Sequence, residues 1–275
     1  GEATVPLHTY FASVAPSAAL ELCAAAKADH VRAALANTSL CGLPVLSAVA
    51  PFRAGGRGGP ENYTDVPAGP LRMRNLSDLY PFPNTVVTLL LTGTEVADWL
   101  ERAAALFRQV LPGATDAPLL DETMPAFLFD IIPQLSYAID LSQPARFDAQ
   151  GRLANPDARR ITGLCHAGRP VEMGAEFLLV TNNHRAGRAR LQSRGAEPPV
   201  VFTDGARVQT IIAGHVQKKG RVAAAPTRNW HFLPMPGTSV SFPSGPGSAE
   251  HVADIASYRP QVLGRGADGF THYRL

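Results

Sequence analysis

The sequence predicts an α+β fold, a mixed α/β sandwich, and three observations carry that prediction. Short β-branched runs alternate with stretches of helical period. The second half adds hairpin signals to that alternation. The composition is that of a packed globular chain, with 45% hydrophobic and 17% charged residues over 275 positions, which excludes a disordered acidic or basic tail. The 24 glycines and 24 prolines are spread without period, so collagen and simple linkers are excluded and a loop-rich domain is expected.

Each element follows from its residues. Pro16-Ser17 opens a helix to about Leu35, with Ser17 as N-cap, Glu21 near the positive end of the dipole, and Leu20, Ala24, Val31 and Leu35 on one apolar face. Residues 43–49 read as a buried strand, and 51–70, with five glycines, as a long loop. Residues 85–91 form a central strand. Thr92-Gly93-Thr94-Glu95 then makes a capping box for a helix that buries Val96, Trp99, Leu100, Ala103, Phe107 and Val110 before Pro112-Gly113. Residues 127–132 and 135–141 read as strands broken by Pro133, and Ala167-Gly168-Arg169 as a hairpin turn between 160–166 and 170–172. Residues 177–181 make another buried strand. A helix over about 206–219, capped by Asp204 and ended by Gly220, buries Val208, Ile211, Ile212 and His215. Residues 234–248 turn Pro/Gly/Ser-rich, a linker or extended loop, and 253–275 a short terminal β-extension. Two units follow: 1–233, and a linker with β-extension over 234–275.

Several function classes drop out. The formal charge is 25 − 23 = +2, without the dense basic stripe that nucleic-acid binding needs. No stretch is apolar enough for a transmembrane helix, and no basic n-region followed by an apolar run opens the chain. Cys23, Cys41 and Cys165 lack CxxC spacing; their odd number leaves at least one thiol unpaired, with a Cys23–Cys41 bridge conceivable. There is no GxSxG elbow and no P-loop. Gly264 to Gly269 matches GxGxxG but has no room for the following helix and strand, so it reads as a turn. The eight histidines sit singly, with no HxH, HExxH or DxH spacing. The chain carries no self-contained catalytic engine.

Three segments stand out, each with two readings. In Phe52-Arg53-Ala54-Gly55-Gly56-Arg57-Gly58-Gly59, paired glycines bring backbone N–H groups close to an anion and the arginines add forked donors; otherwise it is a tight surface turn. In Asp78-Leu79-Tyr80-Pro81-Phe82-Pro83-Asn84-Thr85, Phe82 is either the rim of an apolar pocket at a sheet end or a core plug. Thr181-Asn182-Asn183-His184-Arg185-Ala186-Gly187 ends a buried strand, where open α/β folds bind ligands; otherwise it is a solvated loop.

These segments, together with Leu43 to Ala48, Leu91 to Glu101, Leu135 to Asp140, Gln143 to Asp148 and Asn229-Trp230, occur in one order. In that order the chain resembles the C-terminal domain of the 5′-nucleotidase family, and within it the branch of periplasmic 2′,3′-cyclic-nucleotide 2′-phosphodiesterase/3′-nucleotidases. The resemblance implies a 5′-nucleotidase C-terminal-domain-like fold that recognises a nucleoside or nucleotide. It also implies an N-terminal metallophosphatase domain with two divalent metal ions as the hydrolytic partner; its DxH, GNHE and GHxH motifs do not occur in these 275 residues. Neither a nucleic-acid polymer nor a membrane is expected as a partner, and a periplasmic location is. By resemblance Phe82 and His184 sandwich the base, His184 standing where the family carries Tyr or Phe. Arg53, Gly56, Arg57 and Asn183 serve the ribose and phosphate. The glycine run that commonly follows the third segment is interrupted as Gly187-Arg188-Ala189. The alternative is a stand-alone nucleoside-binding or structural module without catalysis.

Overall fold

Two β-branched, leucine-rich strands make the centre of the protein. The computed structural model describes residues 1–187, 197–222 and 225–275. In it β1 (Val45–Ser47), β2 (Val86–Thr92), β3 (Glu176–Asn182) and β4 (Val200–Phe202) form one sheet in the order β4-β2-β3-β1. Strands β2 and β3 pair antiparallel over seven residues, from Glu176 opposite Thr92 to Asn182 opposite Val86. Leu89 and Leu91 on one strand and Leu178, Leu179 and Val180 on the other are fully buried, as expected when both faces of a sheet are covered.

Helix α1 (Ala18–Leu35) packs against β1 and against α2 (Val208–Lys219). It buries the predicted face and, in addition, Lys27. Ser17 is its N-cap by position, but its Oγ donates 2.8 Å to the His8 carbonyl instead of accepting from the helix. Asp204 likewise caps a turn rather than α2: its Oδ1 accepts from Ala206 N–H at 2.8 Å, and the helix begins only after Arg207. His215 is half-buried beside Asp29 at 3.5 Å. Helix α3 (Gly93–Ala103) carries the predicted capping box, Thr92 Oγ1 accepting from Glu95 N–H while Glu95 Oε2 accepts from Thr92 N–H.

Two corrections concern strands. Residues 127–132 are not a strand: a 3₁₀ turn covers Ala126–Leu128 and only Ile131 bridges, to Val49. Pro125 and Pro133 bracket the run with fixed φ, and the amides of Leu128, Phe129 and Asp130 donate to carbonyls within the local turn instead of to a neighbouring strand. Conversely, the Pro/Gly/Ser-rich stretch holds a strand, Val240–Ser244, paired with Thr271–Arg274 on one side and Ala117–Pro118 on the other. Val240, Phe242 and Ser244 alternate inward, and Tyr273 packs on Phe11 and Phe242 at ring-centroid distances of 5.4 and 5.5 Å. The Ala167-Gly168 hairpin forms as expected between Ile161–His166 and Arg169–Pro170, and Gly264 to Gly269 spans the end of the strand Gln261–Arg265 and the turn to Thr271–Arg274. All three cysteines are free thiols, Cys23 buried and Cys41 exposed.

Candidate functional site

The β2–β3 register brings two of the three sequence segments to one sheet end. Just beyond the ladder, Asn183 N–H donates to the Thr85 carbonyl at 3.0 Å. Thr85 N–H in turn donates to Asn183 Oδ1 at 3.1 Å. The chain then turns into one helical turn, α4 (Asn183–Ala186), capped by Asn182 Oδ1 accepting from Arg185 N–H at 2.9 Å. His184 sits exposed on that turn. The Asn183 side-chain oxygen is therefore spent on locking the strand end.

On the facing segment the two readings of Phe82 separate cleanly. Phe82 is 46% exposed while Tyr80 is 2% exposed, so the core plug is Tyr80 and not Phe82. Tyr80 Oη accepts from Asn182 Nδ2 at 2.9 Å and from Asn84 Nδ2 at 3.4 Å, and burial pushes its phenol up to about 12. Phe52, from the first segment, meets both rings edge-on, at 4.9 Å to Tyr80 and 5.1 Å to Phe82, a preferred aromatic geometry. Arg53 follows it and pairs with Asp78 at 3.0 Å, and its carbonyl accepts from Thr9 Oγ1. Phe52 thus joins the first segment to Phe82, and the Asn182–Tyr80 bond joins the second segment to the turn that bears Asn183 and His184.

Gly56 and Arg57 lie further out, on a 3₁₀ turn over Gly56–Gly58. Gly55 has φ +71° and packs so closely that an added Cβ would meet Tyr63 Oη at 2.4 Å, so glycine is required there. The amides of Gly55, Gly58 and Gly59 donate within the loop. Anion contact from this turn is therefore left to the Gly56 and Arg57 amides and the arginine side chains.

Around Tyr80 and Asn182 lies what sequence reasoning missed. Lys27, Phe52, Tyr80, Asp130, Asn182 and Arg185 line one small cavity of about 10 Å³, near the size that holds a single water. Asp130 Oδ1 pairs with Arg185 Nη2 at 3.1 Å, and Asp130 Oδ2 accepts from Trp99 Nε1 at 3.1 Å. Lys27 Nζ donates to the Ala48 carbonyl. Burial pushes the Lys27 ammonium down to about 8 against the pull of Asp130, and burial raises the Asp130 carboxyl against Arg185 and Lys27. Lys27, a lone lysine among the alanines of an apolar helix, and Asp130, an acid inside Phe127 to Ile132, were the only signals available. Among the described residues no three His, Cys, Asp or Glu side chains are grouped so as to hold a metal ion, and no helix is long and apolar enough to cross a membrane.

Comparison with known proteins decides the family. The family model described as 5′-nucleotidase, C-terminal domain, matches residues 3–192. This chain belongs to that family. It is 35% identical over its whole length to a 2′,3′-cyclic-nucleotide 2′-phosphodiesterase/3′-nucleotidase of Haemophilus influenzae, of which it spans 44%. It is 33% identical, again over its whole length, to the trifunctional nucleotide phosphoesterase protein YfkN of Bacillus subtilis, of which it spans 19%. The crystal structure of a 5′-nucleotidase precursor from Thermus thermophilus superposes with a TM-score of 0.60 at 20% identity, covering 86% of this chain and 39% of that one. That likeness bears on the fold, and the 5′-nucleotidase C-terminal domain is accordingly the mixed α/β architecture expected from the sequence. The interrupted glycine run at Arg188 and Ala189 lies outside the described residues.

Proposed function

We propose that this 5′-nucleotidase C-terminal domain recognises the nucleoside of 2′,3′-cyclic nucleotides and 3′-nucleotides for a periplasmic phosphoric ester hydrolase. The relatives named as 2′,3′-cyclic-nucleotide 2′-phosphodiesterase/3′-nucleotidases supply the substrate class, and their greater length supports a further, N-terminal domain of metallophosphatase type as its partner. Two divalent ions belong to that domain in this reading; the residues described here group no ligand set that fits them.

The observation that carries the reading is the half-exposed Phe82 ring, held edge-on by Phe52 at the sheet end that also bears His184. An exposed aromatic fixed by a second ring is an ordered stacking platform, and stacking on a nucleobase contributes about 1–3 kcal/mol with tolerance for different bases. His184 supplies the opposite face with less area than a phenol ring would. Arg53 and Arg57 offset the phosphate charge, Arg53 pre-oriented by Asp78, with Gly56 letting the backbone approach and Asn183 contributing its remaining polar edge. Titration calorimetry of this chain with adenosine and with 2′,3′-cyclic AMP tests the reading: saturable binding of both is expected, and absence of binding to any nucleoside or nucleotide overturns it.

A further inference from the structure

We infer that Asp130 is a positioning residue for the base-binding site, fixing the turn that carries Asn183 and His184 by clamping Arg185; the inference rests on the nucleoside reading above. Helix α4 has only four residues. A single helical turn closes too few internal hydrogen bonds to hold its own shape, so side-chain anchors decide where His184 points. Among the described residues three anchors hold it: the Asn182 cap, the Asn183–Thr85 exchange and the Arg185 side chain. The third reaches inward. Arg185 Nη2 meets both Asp130 Oδ1 and the Phe127 carbonyl, and the Arg185 side chain is only 14% exposed.

Asp130 is itself triangulated by rigid elements. Its other oxygen is held by Trp99 on α3, and its neighbour Ile131 bridges to Val49 beside the central sheet. The carboxylate thus transmits the position of the core to the turn. Its charge matters as well as its shape. Lys27 from α1 and Arg185 from α4 both face the cavity, with Tyr80 and Asn182 as neutral neighbours, and Asp130 is the one carboxylate among the residues lining it. Without that charge two buried cations oppose each other, and the turn carrying Arg185 is the part least held by its own backbone.

The test uses the 275-residue chain and two readouts, adenosine affinity and amide hydrogen exchange over residues 183–187. Asp130→Asn keeps the shape and removes the charge. It is expected to weaken adenosine binding about tenfold, the effect of a mid-range coupling between contacting residues. It should also speed exchange in 183–187 while β2 and β3 keep their protection. The double variant Asp130→Asn with Arg185→Met is expected to bind no more weakly than Asp130→Asn alone, because both remove one clamp. Wild-type affinity, or unchanged exchange over 183–187, in Asp130→Asn overturns the inference, and so does an additive loss in the double variant. Should Asp130→Asn not fold, Trp99→Phe removes one bond to Asp130 and keeps the charge. Faster exchange in 183–187 then upholds the clamp, and unchanged exchange overturns it. If the wild type binds no adenosine, the nucleoside reading falls, and the exchange data on the same variants still decide the clamp.

Discussion

Because Phe82 is 46% exposed, its removal separates binding from folding. Phe82→Ala is expected to weaken adenosine binding by about 1–3 kcal/mol while the melting temperature barely moves; calorimetry and circular dichroism on the same sample check both halves. His184→Ala should cost less affinity, and His184→Tyr should bind at least as tightly as wild type, since a phenol ring covers more of the base. His215→Ala is the control: half-buried and 3.5 Å from Asp29, it should lower stability and leave affinity unchanged in the folded fraction. Lys27 gives the pH-dependent counterpart. Its folded value is pushed down from 10.5 to about 8 by burial, so between those values the unfolded chain holds the proton more tightly. Stability therefore rises as pH climbs through that window, and the full cost of keeping Lys27 charged is felt below it. Lys27→Met should melt on the order of 5 °C above wild type at pH 7, with the gap shrinking as the pH approaches 10. A gap that is constant from pH 7 to 10 would contradict the burial argument.

Among the elements, α3 is the one whose start is written locally and formed as written. Thr92 and Glu95 exchange both bonds of the capping box, so Thr92→Ala is expected to cost about 1 kcal/mol in urea unfolding with no loss of adenosine affinity, since the cap lies at the opposite end of β2 from Thr85. The other two predicted caps show how a local motif yields to a distant competitor. Ser17 Oγ turns to the His8 carbonyl, and Asp204 takes the Ala206 amide and His30. Strand prediction went astray in both directions for one reason. After Pro125 the amides of Leu128, Phe129 and Asp130 are spent on carbonyls within the local turn, whereas the Pro/Gly-rich stretch around Val240–Ser244 is recruited by neighbours on both sides. Tertiary pairing overrides composition where a partner strand is in reach.

At the scale of the whole molecule, the sheet end is assembled from residues far apart in the chain: Thr85 and Asn183 are 98 positions apart, and Tyr80 and Asn182 are 102. The sequence by itself determined the α+β class, the run of α1 to about Leu35, the capping box, the central strands and the family. All of these are encoded in windows of a few residues, as hydrophobic period, cap chemistry or motif order. It left open whether Phe82 was rim or plug and whether the glycine loop cradled an anion. Only the tertiary structure decided that Tyr80 is buried and Phe82 is not, and that three of the loop's amides are already engaged. It alone brought Lys27, Asp130 and Arg185, from three separate stretches of the chain, to one cavity. The reason is physical: burial and the charge of what faces a side chain depend on contacts that close across the chain, and no local pattern records them.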